Sequence, residues 1–175
     1  MRIAVIAGAV LLLCSTGFGD ARNERAARFT IVGDRVVGGV RMGATLVDAT
    51  TVLGMPDLKR RLSRYECRAG WRMIGLTLLF LDLSNSDPCS RGGLVRATAA
   101  SARWQTGKGL RVGDSVARLH NLYRSARYHR LGYPGWWLIT RRTCPTTGSQ
   151  RYPGLLARTV HRRIGALVVD LAACE

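Results

Sequence analysis

The sequence predicts an exported α+β domain built from two tandem repeats, each a short helix or helix pair followed by an antiparallel sheet of about three strands. Two observations carry this. The first is an internal echo: Gly39-Val40-Arg41-Met42-Gly43-Ala44-Thr45-Leu46 matches Gly109-Leu110-Arg111-Val112-Gly113-Asp114-Ser115-Val116 at a constant offset of 70 residues, and a fixed internal period is the mark of a duplicated unit. The second is a change of texture behind each echo, from apolar residues at helical spacing to β-branched and aromatic runs.

Ahead of the repeats, Met1-Arg2, the apolar stretch Ile3 to Cys14 and the small, turn-prone residues to Ala21 read as a secretory signal. Cleavage after Gly19 or Ala21 sets the expected division at 1–21 for the signal and 22–175 for one secreted domain, with repeat one over about 28–104 and repeat two over about 105–175. Cys14 follows Leu13, where a lipoprotein signal carries Gly, Ala or Ser, so an inert leader residue is preferred to a lipid anchor. No later segment has the ~18 to 20 apolar residues a spanning helix needs. The expected location is secreted or periplasmic.

In repeat one, Thr45 can accept free amide hydrogens at a helix start, and Leu46, Ala49 and Leu53 follow at helical spacing. The helix stops at Gly54-Met55-Pro56, and Asp57 is placed to cap a second short helix through Leu62. Ser63 to Arg68, Trp71 to Leu83 and Leu94 to Trp104 read as strands, with Gly75 at a bulge. In repeat two, Ser115 or Asp114 caps a helix bearing Val116, Leu119 and Tyr123. Strands are expected at Trp136 to Arg142, Leu155 to His161 and Ala166 to Ala173, the last two joined by a hairpin turn near Arg162 to Gly165.

Four cysteines follow the leader: Cys67, Cys89, Cys144 and Cys174. An even set in an oxidising compartment favours disulfides. Of three connectivities, Cys67 with Cys89 and Cys144 with Cys174 is favoured because each pair closes a loop within one half. Metal is not expected: no pair is spaced C-x-x-C, and none has a His three to five residues away.

The formal charge is +16, which attracts anionic surfaces such as envelope polymers. Composition alone explains part of it, since Lys occurs only at Lys59 and Lys108 and the rest of the cations are Arg. The charges are scattered, and the leader removes the chain from the cytoplasm, so nucleic acid is an unfavoured partner. Hydrolase, zinc-protease, phosphate-loop and calcium-loop motifs are missing. Of the three histidines, His120, His129 and His161, His120 sits in the second helix and His161 next to a turn, and neither of these two adjoins a carboxylate or a serine in sequence. The expectation is a chain without catalytic residues, cofactor or metal.

A repeat that starts with glycine, runs into a capped helix, ends at Gly-x-Pro and continues as a sheet resembles the β-lactamase inhibitor protein superfamily, together with the small outer-membrane assembly lipoproteins and secreted bacterial proteins without assigned activity. The resemblance rests on Gly39 to Pro56 and Gly109 to Ala126. It implies docking of an aromatic-rich sheet face and its loops on a partner protein. Here the corresponding residues are Tyr133, Trp136, Trp137 and Tyr152, with Trp71 and Trp104 as neighbours. Strand alternation sends Trp136 and Trp137 to opposite faces, leaving one free to contact a partner. The expected role is thus a secreted, non-catalytic protein-binding module, with electrostatic attachment to anionic cell-surface polymers as the alternative.

Overall fold

An eight-stranded antiparallel sheet organises the chain in a computed structural model that describes residues 29–84, 87–129, 135–143 and 151–171, with the side chains of residues 142, 151 and 152 left out. In chain order the elements are β1 (Thr30–Val32), β2 (Val36–Val37), β3 (Val40–Arg41), α1 (Leu46–Leu53), β4 (Leu58–Arg61), β5 (Glu66–Trp71), β6 (Leu76–Leu81), β7 (Gly93–Ala99), β8 (Gln105–Thr106), α2 (Val116–Leu122), β9 (Arg127–His129), β10 (Trp136–Leu138), β11 (Arg141–Thr143), β12 (Arg151–Pro153), β13 (Leu155–Val160) and β14 (Arg163–Asp170). The large sheet runs β4-β5-β6-β7-β14-β13-β10-β9. A four-stranded sheet runs β3-β2-β1-β8, and β11 and β12 form a separate pair.

The protein is therefore mostly β, which corrects the expected α+β class of two helix-then-sheet repeats. Among the described residues the helices are only 8 and 7 residues long, and 45% of residues lie in strands. The strands after α1 and after α2 do not form two sheets of about three. They join through β7 and β14, with Val168 opposite Thr98 and Asp170 opposite Arg96. The reading of a second helix from Asp57 to Leu62 also fails, because Leu58 to Arg61 form edge strand β4, paired with Cys67 to Gly70. Four residues without an apolar stripe cannot repay helix nucleation, whereas pairing with β5 supplies backbone partners directly. Asp57 instead accepts the backbone N–H of Arg72 at 2.5 Å.

The echoed segments do share local geometry. Gly39 and Gly109 have φ of 86° and 81°, and Gly43 and Gly113 have 87° and 98°. These left-handed values favour glycine and turn the chain into a cap. Thr45 accepts from the amide of Asp48 while Asp48 accepts from that of Thr45, a reciprocal capping box; Ser115 accepts from the amide of Arg118. Beyond α1, the indole of Trp71 donates to the Gly54 carbonyl at 2.9 Å, tying the helix end to the sheet.

Alternation along the strands decides which face of the large sheet is buried. Cys67, Ala69, Leu76, Leu78, Phe80, Leu94, Ala97, Leu155, Leu167 and Val169 point to one side. There they pack with Leu46, Ala49 and Leu53 of α1, Leu119 of α2, and Ile31, Val37 and Val40 of the small sheet. Trp104 is fully buried in this layer, its indole donating to the Ile74 carbonyl at 2.7 Å, with the Phe29 ring edge-on at 5.5 Å. Cys67 and Cys89 are joined by a disulfide across this side of β5, with Cα atoms 5.1 Å apart. Cys144 and Cys174, and with them the expected Cys144–Cys174 pairing, lie outside the described residues, as do Cys14 and the expected leader over 1–21. Among the described residues, the opposite face of the sheet carries a small cluster of Leu138, Leu156, Ala166 and Val168, with Trp136 against it.

Candidate functional site

That second face carries the candidate site. On β5, β6 and β7 the residues pointing away from the core include Glu66 and Arg68, Thr77, Leu79 and Leu81, and Arg96 and Thr98, of which Arg68, Thr77 and Arg96 are exposed. Registers place Arg60 opposite Arg68, Arg68 opposite Leu79, Leu79 opposite Arg96 and Arg96 opposite Asp170, one row running across five strands. A second row runs from Thr77 through Thr98, Val168 and Leu156 to Leu138. Arg158 on β13 lies opposite Trp136 on β10 and Ala166 on β14.

Two adjoining depressions follow from this arrangement. One, of about 390 Å³, is lined by Arg68, Thr77, Leu79, Arg96, Thr98 and Arg158. The other, of about 350 Å³, shares Arg96, Thr98 and Arg158, and adds Trp136, Pro153, Leu156, Val168 and Asp170. The surface is thus cationic at one end and apolar at the other. Arg96 is held by Asp170, with its Nε 2.9 Å and its terminal nitrogen 2.8 Å from the same carboxylate oxygen. Arg158 differs: its Nε is buried and meets no hydrogen-bond partner among the described residues. A buried N–H of a charged group without an acceptor is costly, so a site that keeps one is suited to receive an acceptor from outside.

The residues singled out in the sequence separate as follows. Trp136 lies on this open face, half-buried against Leu138, Leu156, Ala166 and Val168. Trp137 points to the other side and packs against the main core, with the His120 ring edge-on at 4.5 Å and Tyr128 at 5.1 Å. Tyr133 lies outside the described residues; Tyr152 is in β12, its side chain outside them. Trp71 and Trp104 are not neighbours of an aromatic surface, since both are buried in the main core. Among the described residues no three His, Cys, Asp or Glu side chains gather as metal ligands, and no helix is long and apolar enough to cross a membrane.

No family model and no curated protein matches the chain. Among solved structures it is similar to an extracellular protein containing a SCP domain from Bacillus anthracis str. Ames, with 8% identity and a TM-score of 0.43. It is also similar to a cysteine-rich secretory protein from Staphylococcus aureus subsp. aureus Mu50, with 10% identity and a TM-score of 0.44. Each match covers 75% of this chain and 44% of the other, so the chain spans less than half the length of either. The mostly β architecture, with the strands of both halves joined in one eight-stranded sheet, overturns the resemblance to the β-lactamase inhibitor protein superfamily. Scores this low assign no role to the chain.

Sequence reasoning missed Arg68, Thr77, Arg96, Thr98 and Arg158. Their signal was present as the polar positions of strands, two residues apart in Arg96 and Thr98. What brings them together is strand order, which sequence spacing does not contain.

Proposed function

We propose that the chain is a secreted, non-catalytic protein-binding module that presents the open face of its large sheet to a partner protein outside the cytoplasm. The supporting observation is the composition of that face: the half-buried Trp136 beside Leu156 and Val168, bordered by Arg96 and Arg158. Aromatic and Arg side chains supply most anchoring residues of protein interfaces, and an apolar patch with a charged border is the usual anatomy. The leader and the disulfide support the extracellular or periplasmic setting.

The test is capture by the immobilised, oxidised, leader-free chain from the producing cell's envelope and culture fluid, with washes of rising salt and a Trp136→Ala chain in parallel. The reading expects one dominant protein that stays through high salt on the parent chain and is lost from Trp136→Ala. A net charge of +16 supports a second reading, electrostatic attachment to anionic envelope polymers. Binding of that kind weakens steeply between roughly 50 and 200 mM salt and ignores Trp136. A heterogeneous set released by moderate salt from both chains would decide for it.

A further inference from the structure

We propose that Arg68 and Arg158, with the Thr77 and Thr98 hydroxyls between them, form a carboxylate site that receives an acidic side chain of the partner; this rests on the protein-binding reading and names the chemistry of the segment bound. Four observations converge. The Nε of Arg158 is buried without a hydrogen-bond partner among the described residues. Arg96, the third guanidinium of the depression, is engaged by Asp170, whereas Arg68 and Arg158 make no ion pair among the described residues, Glu66 lying two positions along β5 from Arg68. Arg60 lies directly opposite Arg68 on the neighbouring strand, a like-charge pair that an acceptor on this face relieves. The Thr77 and Thr98 side chains line the same depression and supply hydroxyl donors.

The neighbouring shelf decides the class of ligand. An oxyanion here sits next to Trp136, Leu156 and Val168, which line the adjoining depression. A polypeptide that alternates acidic and aliphatic residues fills both parts, one with its carboxylate and the other with its apolar side chain. An inorganic ion fills only the first, and a sugar polymer, which can lay a ring face on Trp136, has no aliphatic side chain to set against Leu156 and Val168. A guanidinium binds a carboxylate through two parallel N–H···O bonds, and at a partly dry site each such charge-assisted contact is strong. No covalent step is involved.

The experiment follows the side-chain Nε–Hε resonances of the oxidised, leader-free chain by NMR during titration with a synthetic peptide alternating glutamate and leucine. Its glutamine-leucine counterpart, inorganic sulfate and a heparin tetrasaccharide serve as separate arms. The expected result is a saturable shift of the Arg158 resonance with the glutamate peptide only. Arg158→Met, which keeps the aliphatic stem beside Trp136, weakens binding by at least about tenfold. Arg91→Met, an exposed site away from this face, leaves it unchanged. Equal losses from Arg158→Met and Arg91→Met overturn the site in favour of diffuse charge attraction, and sulfate or heparin binding as tight as the glutamate peptide overturns the choice of ligand. A partner captured equally by the parent chain and by Arg158→Met rejects this site while leaving the protein-binding reading standing. Peptide binding at Arg158 without any captured partner rejects that reading and leaves the site.

Discussion

Replacing both Cys67 and Cys89 with Ala tests how much of the stability rests on restricting the unfolded chain. The bond joins β5 to the turn at Asp87–Arg91 and spans a sequence separation of 22 residues. Chain entropy for a loop of that length gives a loss of about 3.4 kcal/mol at 25 °C. Ala is chosen over Ser because Cys67 is fully buried and a hydroxyl there lacks a partner. With a urea slope of about 2 kcal/mol/M, the midpoint falls by about 1.7 M, and Tm by roughly 7 to 13 °C. The slope itself rises, since the unlinked chain exposes more surface when unfolded. Equilibrium urea unfolding followed by tryptophan fluorescence reads both numbers, and the substitution, unlike reductant, spares Cys144 and Cys174. A midpoint shift below about 0.5 M with an unchanged slope would refute the entropic account.

Three further outcomes are expected. The Tyr123 hydroxyl donates to Thr106 Oγ1 at 2.7 Å, and burial pushes this phenol above its ordinary value of 10.0. Its neutral form therefore contributes stability that is full below pH 10.0 and lost as pH rises through the higher folded value, so Tyr123→Phe costs about 1 kcal/mol at pH 7 and flattens the alkaline end of a Tm–pH profile. At the start of α1, the backbone and hydroxyl hydrogen bonds from Thr45 hold the Asp48 carboxyl below its ordinary 3.8. Its contribution is present above pH 3.8 and lost as pH falls toward the lower folded value, so Asp48→Asn lowers Tm at pH 7 and the two chains converge in acid, read by calorimetry. Gly75→Ala places a Cβ 2.9 Å from the Ser101 backbone nitrogen at φ 62°, and should destabilise the chain by roughly 2 kcal/mol in urea unfolding.

What the sequence discloses is local, and what it conceals is long-range. The caps at Thr45 and Ser115 follow from a hydroxyl placed between a glycine turn and an apolar period, and the geometry there is set by neighbouring residues alone. The β13–β14 hairpin is equally local, although its turn is made by His161 and Arg162 at φ 49° and 61° rather than by a glycine. The four-stranded sheet was not legible: β2, β3 and β8 are two residues long, and β1 pairs in parallel with β8 across more than 70 residues. Leu58 to Arg61 carries helix-compatible residues whose conformation is decided by the free edge of β5. Trp136 and Trp137 divide between faces as strand alternation requires, but which face is open depends on where α1, α2 and the small sheet pack. Arg68, Arg96 and Arg158 are separated by 28 and 62 residues in sequence and meet only through the order β5-β6-β7-β14-β13.

The division of labour between the two faces explains why the cationic cluster persists. All the large, fully buried side chains, from Trp104 and Phe80 to Leu167, lie on the core side, so stability draws on that layer. Residues such as Arg60, Arg68 and Thr77 on the opposite face are free of packing demands and need only remain soluble. Solubility is served by mixing charges, yet the row Arg60, Arg68, Arg96 contains a single carboxylate, Asp170, at its far end. Placing Arg60 directly opposite Arg68 costs a few tenths to about 1 kcal/mol relative to a neutral pair, and the dry Nε of Arg158 adds to it. Neither cost is offset by a contact within the described residues. A local loss with no internal compensation is the pattern expected where the compensation arrives with a ligand. If so, the glutamate-leucine peptide should raise Tm with a dependence on its concentration, and Arg158→Met should raise Tm in the absence of peptide while abolishing that dependence.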